Sequence, residues 1–487
     1  MRACDVARRS AHSATRTVRL VARSPLSCSS FAIHHRSFIM RRASSSSSPS
    51  SSASSARVGS SDKKRRRLSG ECTLRNNDAA ISRDSQIWIP MVFLITIAIA
   101  TCYADRSNIS VAAISMAKEL EWSKTTEGVV LSAFFVGYAG TQLVGGRAAD
   151  VAGGKRVLAV GVAAWSIATA LTPLCARGGI GTLLFIRCAL GAGEGVAFPA
   201  AHSLIARHVP MRRRSVAVAA ITSASYVGAA AAFLLTPTII ESSGWPAAFY
   251  GFAAAALVWI PAWLPLDLPP PNKPSESPSL PQSTSAIWRL ARRKEVWAIM
   301  AAQYGQSVGL YGLLSWLPTY YDDVYDIPLS NLPALTVAPY ILQGVVGVGA
   351  GWFADRLISG GVRNRDVRVL LQSIGMLGPA TALLFVASAE LPAESAAIAI
   401  DIGLGLSALT LGGVSVNHLD ISPRNAGSVF ALGNTCATLG GLVAVPAIGR
   451  ILDNTHDWSL VFGLISAHFV VGVVAYVAWC GGERVDD

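Results

Sequence analysis

Arg187 and Glu194 stand seven positions apart in an apolar stretch running from about Leu183 to Ile205. Seven residues is nearly two helical turns, so both charges leave the same face of a helix. A second arginine, Arg106, lies in an earlier apolar stretch beside Asp105. A charged side chain at the centre of a hydrocarbon layer costs about 3 kcal/mol on insertion scales. A chain does not accumulate such groups without a partner or a use. Arginine presents a planar fork of N–H donors that suits phosphate or carboxylate better than a lysine does. Two arginines in one apolar domain therefore point to something negative passing through it. Glu194 has several roles open to it: pairing with either arginine, taking up a proton, helping to coordinate Na⁺, or forming a static pair that fixes helix register.

Other side chains join this set by spacing. Tyr304 and Tyr311, seven apart among Gln303, Gln306, Tyr320 and Tyr321, can share one cavity-facing side of a later apolar segment and contact substrate. Asp105, adjacent to Arg106, points about 100° away from it and is as well explained by a partner at a span end. Gly191, Gly193 and Gly195 read as close-packing positions, since a phosphate-binding glycine loop follows a strand and opens a helix. Asn417 and Asn434 are polar groups at or within spans, and His202 and His418 read as structural histidines near span ends. No H-E-x-x-H or G-x-S-x-G occurs, which argues against a membrane-embedded enzyme. The 8 cysteines follow no metal-like spacing and read as small apolar residues. Neither a metal nor a cofactor is expected.

The elements that must position these residues are membrane helices. Mean hydropathy is +0.44 and only 14% of residues are charged, the composition of a polytopic membrane protein. Apolar segments fall near residues 88–114, 126–146, 157–175, 180–206, 215–240, 246–266, 296–320, 333–354, 368–388, 394–416, 426–449 and 459–480. The expected fold is all-α: twelve transmembrane helices in two pseudo-symmetric six-helix halves, 87–266 and 295–482. A Pro- and Ser-rich linker, 267–294, joins them, and 483–487 is a short tail. The formal charge of +12 does not indicate nucleic-acid binding, because residues 1–86 hold 17 Lys/Arg against 5 Asp/Glu and the rest of the chain holds 24 of each. With 22 serines and 15 arginines, residues 1–86 have the composition of an organelle transit peptide, plastid before mitochondrion.

Loops after even-numbered spans carry 17 Lys/Arg, whereas loops after odd-numbered spans carry 4, which places the even loops on the cytosol-like side. A repeat supports two related halves. Gly146-Arg-Ala-Ala-Asp150 follows the second span and runs on to Lys155 and Arg156; Gly351-Trp-Phe-Ala-Asp355-Arg356 follows the eighth. The glycines allow close helix approach, and the aspartates can take a helix end or a basic residue and latch one conformation.

On these features the chain resembles the major facilitator superfamily, and within it the anion:cation symporter family. That family includes vesicular glutamate carriers, type I sodium–phosphate cotransporters and plastid phosphate carriers of plants and algae. Four stretches carry the resemblance: Tyr103-Ala-Asp-Arg106-Ser-Asn108, Phe134-Phe-Val-Gly-Tyr138 through Gly145-Gly146, Arg187 through Glu194-Gly-Val-Ala-Phe-Pro199, and Asn417-His-Leu-Asp420 through Gly427. The resemblance implies that Arg106, Arg187 and Glu194 match functional charged positions of the family. Leu131 stands where the animal glutamate carriers place a histidine, which weakens a glutamate reading. The expected function is secondary active transport of an inorganic or organic anion, phosphate first, coupled to Na⁺ or H⁺ by alternating access. An organic-anion carrier for ascorbate, glutamate or nucleotide is the alternative. The expected setting is a plastid (chloroplast) membrane, inner envelope or thylakoid, with the protein a monomer in the bilayer.

Overall fold

The computed structural model describes residues 87–268, 289–423 and 426–484; the expected transit segment, most of the linker and residues 485–487 lie outside this range. Twelve long helical elements follow in order: α1 (Trp88–Glu119), α2 (Lys124–Ala148), α3 (Gly154–Arg177), α4 (Ile180–His208), α5 (Met211–Ser243), α6 (Trp245–Trp263), α7 (Lys294–Tyr325), α8 (Leu329–Ser359), α9 (Asn364–Ser388), α10 (Ala393–Ile421), α11 (Ala426–Thr455) and α12 (Trp458–Trp479). Each overlaps one expected span. Among the described residues there is no strand.

Among the described residues, ten of these helices are long and apolar enough to cross a membrane, and α2 and α7 are not among the ten. Both are long enough, at 25 and 32 residues. Both pack against α11 in the middle of the bundle, α2 also against α4 and α7 also against α12. Their Thr, Gln and Tyr residues are buried or half-buried and so meet protein, where polarity costs less than in lipid. α1 is central too: every residue from Ala104 to Ile114 is buried, so no face of that stretch is spared for lipid. Indole N–H groups secure several crossings. Trp259 donates to the Leu94 carbonyl at 2.7 Å, Trp263 to Lys155 at 3.0 Å, and Trp316 to Val445 at 3.0 Å.

The sequence reads the Arg187–Glu194 stretch as part of one continuous helix, and here the structure differs. α4 is α-helical over Ile180–Glu194, breaks at Gly195 and Val196, and resumes at Ala197. Pro199 has no N–H to give to the preceding turn, and the glycines ahead of it tolerate the bend. A comparable interruption divides α10, where a 3₁₀ turn at Ala408–Gly412 separates two α-helical pieces.

Candidate functional site

The site begins with a glycine contact. α2 and α4 cross so closely that a side chain on Gly137 would run into the Cys188 carbonyl, and one on Gly191 into the Phe134 carbonyl. Polar side chains fix the register: Thr141 donates to the Ala192 carbonyl at 2.8 Å, and the Cys188 thiol lies 3.2 Å from the Ala133 oxygen. This crossing sets Phe134 of α2 between two cations. The Arg106 guanidinium carbon is 4.4 Å from the centre of its ring, and that of Arg187 is 5.8 Å. Tyr103 and Tyr138 complete an aromatic box around Arg106, at 4.6 and 4.9 Å. Cation–ring attraction strengthens on desolvation, so the box holds a charged group where water is scarce.

The two arginines are not equivalent. Arg106 donates from Nη2 to Glu194 Oε2 at 3.0 Å, with both side chains buried. Arg187, 1% exposed, has no ion-pair partner among the described residues, and its Nε and Nη1 donors are buried and unpartnered. Glu194 Oε1 and both oxygens of Asp105 are likewise buried without a partner. Glu194 and Arg187 are the charged neighbours of Asp105, so with Arg106 four charged groups form one buried cluster in the first half.

The second half closes the site. A small cavity, ≈ 10 Å³, is lined by Arg106, Ser110, Phe134 and Arg187 on one side and by Tyr311 and Ser315 of α7 on the other. That is room for about one water molecule, so the halves are drawn together around the arginines. Tyr311 reaches across to Phe135, with ring centres 4.7 Å apart. Of the predicted residues, Arg106, Arg187, Glu194 and Tyr311 therefore come together. Tyr304 lies two turns away on α7, its ring 5.9 Å from His468 of α12, and is not in the cavity wall.

The repeated loop motifs lie apart from the site. Gly146 ends near Pro199, and a π-helical turn at Ala149–Gly153 contains Asp150. Lys155 donates from Nζ to the carbonyls of Leu264 and Leu266 at 2.7 and 2.6 Å, capping the end of α6. Arg156, Gly351, Asp355 and Arg356 are exposed, and the Arg356 guanidinium lies 5.8 Å from the Trp352 ring. Asn417 and Asp420 hold the second half together: Asn417 donates to the Gly481 carbonyl at 3.1 Å, and Asp420 accepts from Arg368 at 2.8 Å. His202 and His418 pack beside Phe198 and Phe430.

Sequence reasoning missed the aromatic box, although the Phe134–Tyr138 motif was its signal: aromatic residues four apart, opposite an arginine, at helical spacing. It also missed Glu127 and the charged cluster where the odd-numbered loops meet, which only the pairing of α2 with α7 and α11 assembles.

Comparison with known proteins agrees with this architecture. Residues 95–445 match the Major Facilitator Superfamily. The chain is 34% identical over 446 residues, 86% of each chain, to the sodium-dependent phosphate transport protein 1, chloroplastic, of Arabidopsis thaliana. It is 34% identical over 416 residues, 82% of this chain and 76% of the relative, to the chloroplastic ascorbate transporter of the same plant. Among solved structures, a D-xylose-proton symporter superposes with a TM-score of 0.65 at 16% identity, over 81% of this chain and 99% of that one. The chain belongs to the major facilitator superfamily. It is a multi-pass membrane carrier, and not an enzyme.

Proposed function

We propose that the protein is an anion:cation symporter of a chloroplast membrane, with phosphate as the leading substrate. The observation that carries this reading is Arg187. It is a buried guanidinium in the wall of the central cavity with two donors unsatisfied, beside an Arg106 already paired with Glu194. Buried polar groups are otherwise almost always satisfied, and an unpartnered cation in such a place suits an anion that comes and goes. Arg187 is the anion's anchor, and Arg106 joins it when Glu194 releases its hold. Ser110, Ser315 and Tyr311 supply hydroxyls for the remaining anion oxygens. Glu194, with Asp105 behind it, is the place for the coupling Na⁺ or H⁺.

The relative named as a sodium-dependent phosphate transport protein supports phosphate and Na⁺. The relative named as an ascorbate transporter supports an organic anion as the second reading. Access alternates as the halves 87–266 and 295–482 rock about the cavity, with 267–294 as their tether. The Gly351–Arg356 segment, exposed except at Ala354, and its counterpart at Gly146–Arg156 latch the state in which the basic-loop side is shut. Residues 1–86 serve as the transit peptide, and the carrier works as a monomer. The test is uptake of radiolabelled phosphate by the reconstituted protein under imposed Na⁺ or H⁺ gradients, with ascorbate and glutamate as competitors. Saturable uptake driven by one gradient supports the reading and names the ion. Transport of ascorbate without phosphate transfers the site to the organic anion.

A further inference from the structure

The ends of α1, α2, α7 and α11 on the odd-loop side meet across the two halves. Lys118 Nζ lies 2.9 Å from Asp322, and Lys124 Nζ lies 2.9 Å from Asp323. Both oxygens of Asp453 on α11 accept backbone N–H groups at the start of α2, from Lys124 and Thr125, each at 2.7 Å. Helix-start N–H groups have no partner within their own helix, so α2 takes its charged cap from the opposite half. Beneath this layer, Gly449 of α11 packs on the Lys124 backbone, and Gly128 of α2 packs on Val445 and Trp316. Ser315, next to Trp316 on α7, already lines the central cavity.

Glu127 is the misfit in this interface. Its side chain is 1% exposed and sits between the halves. One oxygen accepts from Thr319 of α7 at 3.1 Å; the other is 3.8 Å from Lys124 Nζ, which lies closer to Asp323. The carboxylate is thus shut away from water with one hydroxyl and a share of one lysine, while Asp322, Asp323 and Asp453 bring like charge to the same end. Lys118 is the other cation present. Burying an ion costs more than such partial compensation returns. Parting the halves would give Glu127 back to water.

We infer that this cluster is the gate on the odd-loop side, and that its members pull in opposite directions. Asp453 and the two lysine pairs hold the gate shut. Glu127 opposes closure and keeps the latch reversible. The inference rests on the alternating-access reading above and names the residues that set its balance on this side.

The test uses the full chain with its native cysteines replaced and one reporter, Ser315→Cys, in oriented proteoliposomes. A membrane-impermeant maleimide is added on the odd-loop side, without any anion. Asp453→Asn, which removes the charge and leaves one oxygen for two N–H groups, should speed labelling about fivefold, the shift that about 1 kcal/mol produces. Glu127→Gln, which keeps a carbonyl for Thr319 but removes the charge, should slow labelling by about as much. Thr319→Val, which strips the carboxylate of its hydroxyl donor, should speed it and serves where Asp453→Asn does not fold. Glu127→Gln labelling as fast as the parent or faster, or Asp453→Asn and Thr319→Val both leaving the rate unchanged, would overturn the assignment. Labelling needs no substrate, so a reporter protein that gates as expected, while the parent with Ser315 intact takes up no anion, refutes the proposed substrate and spares the gate.

Discussion

Exchanging each site arginine for glutamine separates structural from functional charge. Arg106→Gln leaves Glu194, whose side chain is fully buried, without the cation 3.0 Å away. Breaking a buried pair by removing one partner costs about 3–5 kcal/mol, because an uncompensated charge is left behind. The aromatic box of Tyr103, Phe134 and Tyr138 loses its occupant as well. Arg187→Gln breaks no ion pair among the described residues and removes two donors that had no partner. Its cost should be the smaller of the two, because no hydrogen-bonded pair is broken and only the through-space attraction to Asp105 and Glu194 is lost. Thermal midpoints in detergent should therefore fall sharply for Arg106→Gln and less for Arg187→Gln, whereas anion uptake should be lost in both. Adding Glu194→Gln to Arg106→Gln should recover most of the lost stability, since it removes the stranded charge. Equal destabilisation by the two single substitutions, or no recovery in the double variant, would refute the division between a paired and a free arginine.

Glu194→Gln alone should leave the protein folded and make anion uptake independent of the Na⁺ or H⁺ gradient; an unchanged gradient dependence would make Glu194 a structural partner of Arg106. Lys155→Met removes a charged donor from the last carbonyls of α6 and should lower stability by about 1–3 kcal/mol, read as a lower thermal midpoint. Gly137→Leu should abolish folded protein, because the Cys188 backbone occupies the space its side chain needs, and normal yield would contradict the close crossing of α2 and α4.

Much of this was legible in the chain, and the exceptions share a cause. The twelve helices follow from apolar length, and their positions match because membrane crossing imposes one length on every segment. Arg106, Arg187 and Glu194 stood out because charge is rare in apolar sequence. Their inequality did not, since only the fold decides which arginine the glutamate reaches. Tyr304 and Tyr311 show the limit of helical spacing: a shared face does not place two residues at one depth, and α7 gives the cavity to Tyr311 and the α12 contact to Tyr304. The break in α4 was signalled by Pro199 close behind three glycines. Glu127, Lys124 and Asp453 looked like ordinary span-end charges, because the contacts that tie them to the other half join residues 192 to 329 positions apart.

Charge balance connects the site to coupling. Arg106, Arg187, Asp105 and Glu194 sum to zero when all are ionised, and the cavity beside them is closed to all but about one water. An anion entering that neutral cluster would bring an uncompensated negative charge into a low-dielectric interior, where charges are costly. An anion arriving with a cation would not: a proton or Na⁺ on Glu194 or Asp105 leaves the arginines with one net positive charge to meet it. Glu194 would then loosen its hold on Arg106, and both guanidinium forks could turn to the anion. In this arrangement symport follows from electroneutrality, since neither ion is stable in the closed site alone. Neutralising one acid permanently should therefore raise anion affinity while abolishing gradient-driven accumulation. Asp105→Asn is the variant to try, because it leaves the Arg106–Glu194 pair in place. Tighter anion binding with lost accumulation is the expected result, and weaker binding would refute the electroneutral account.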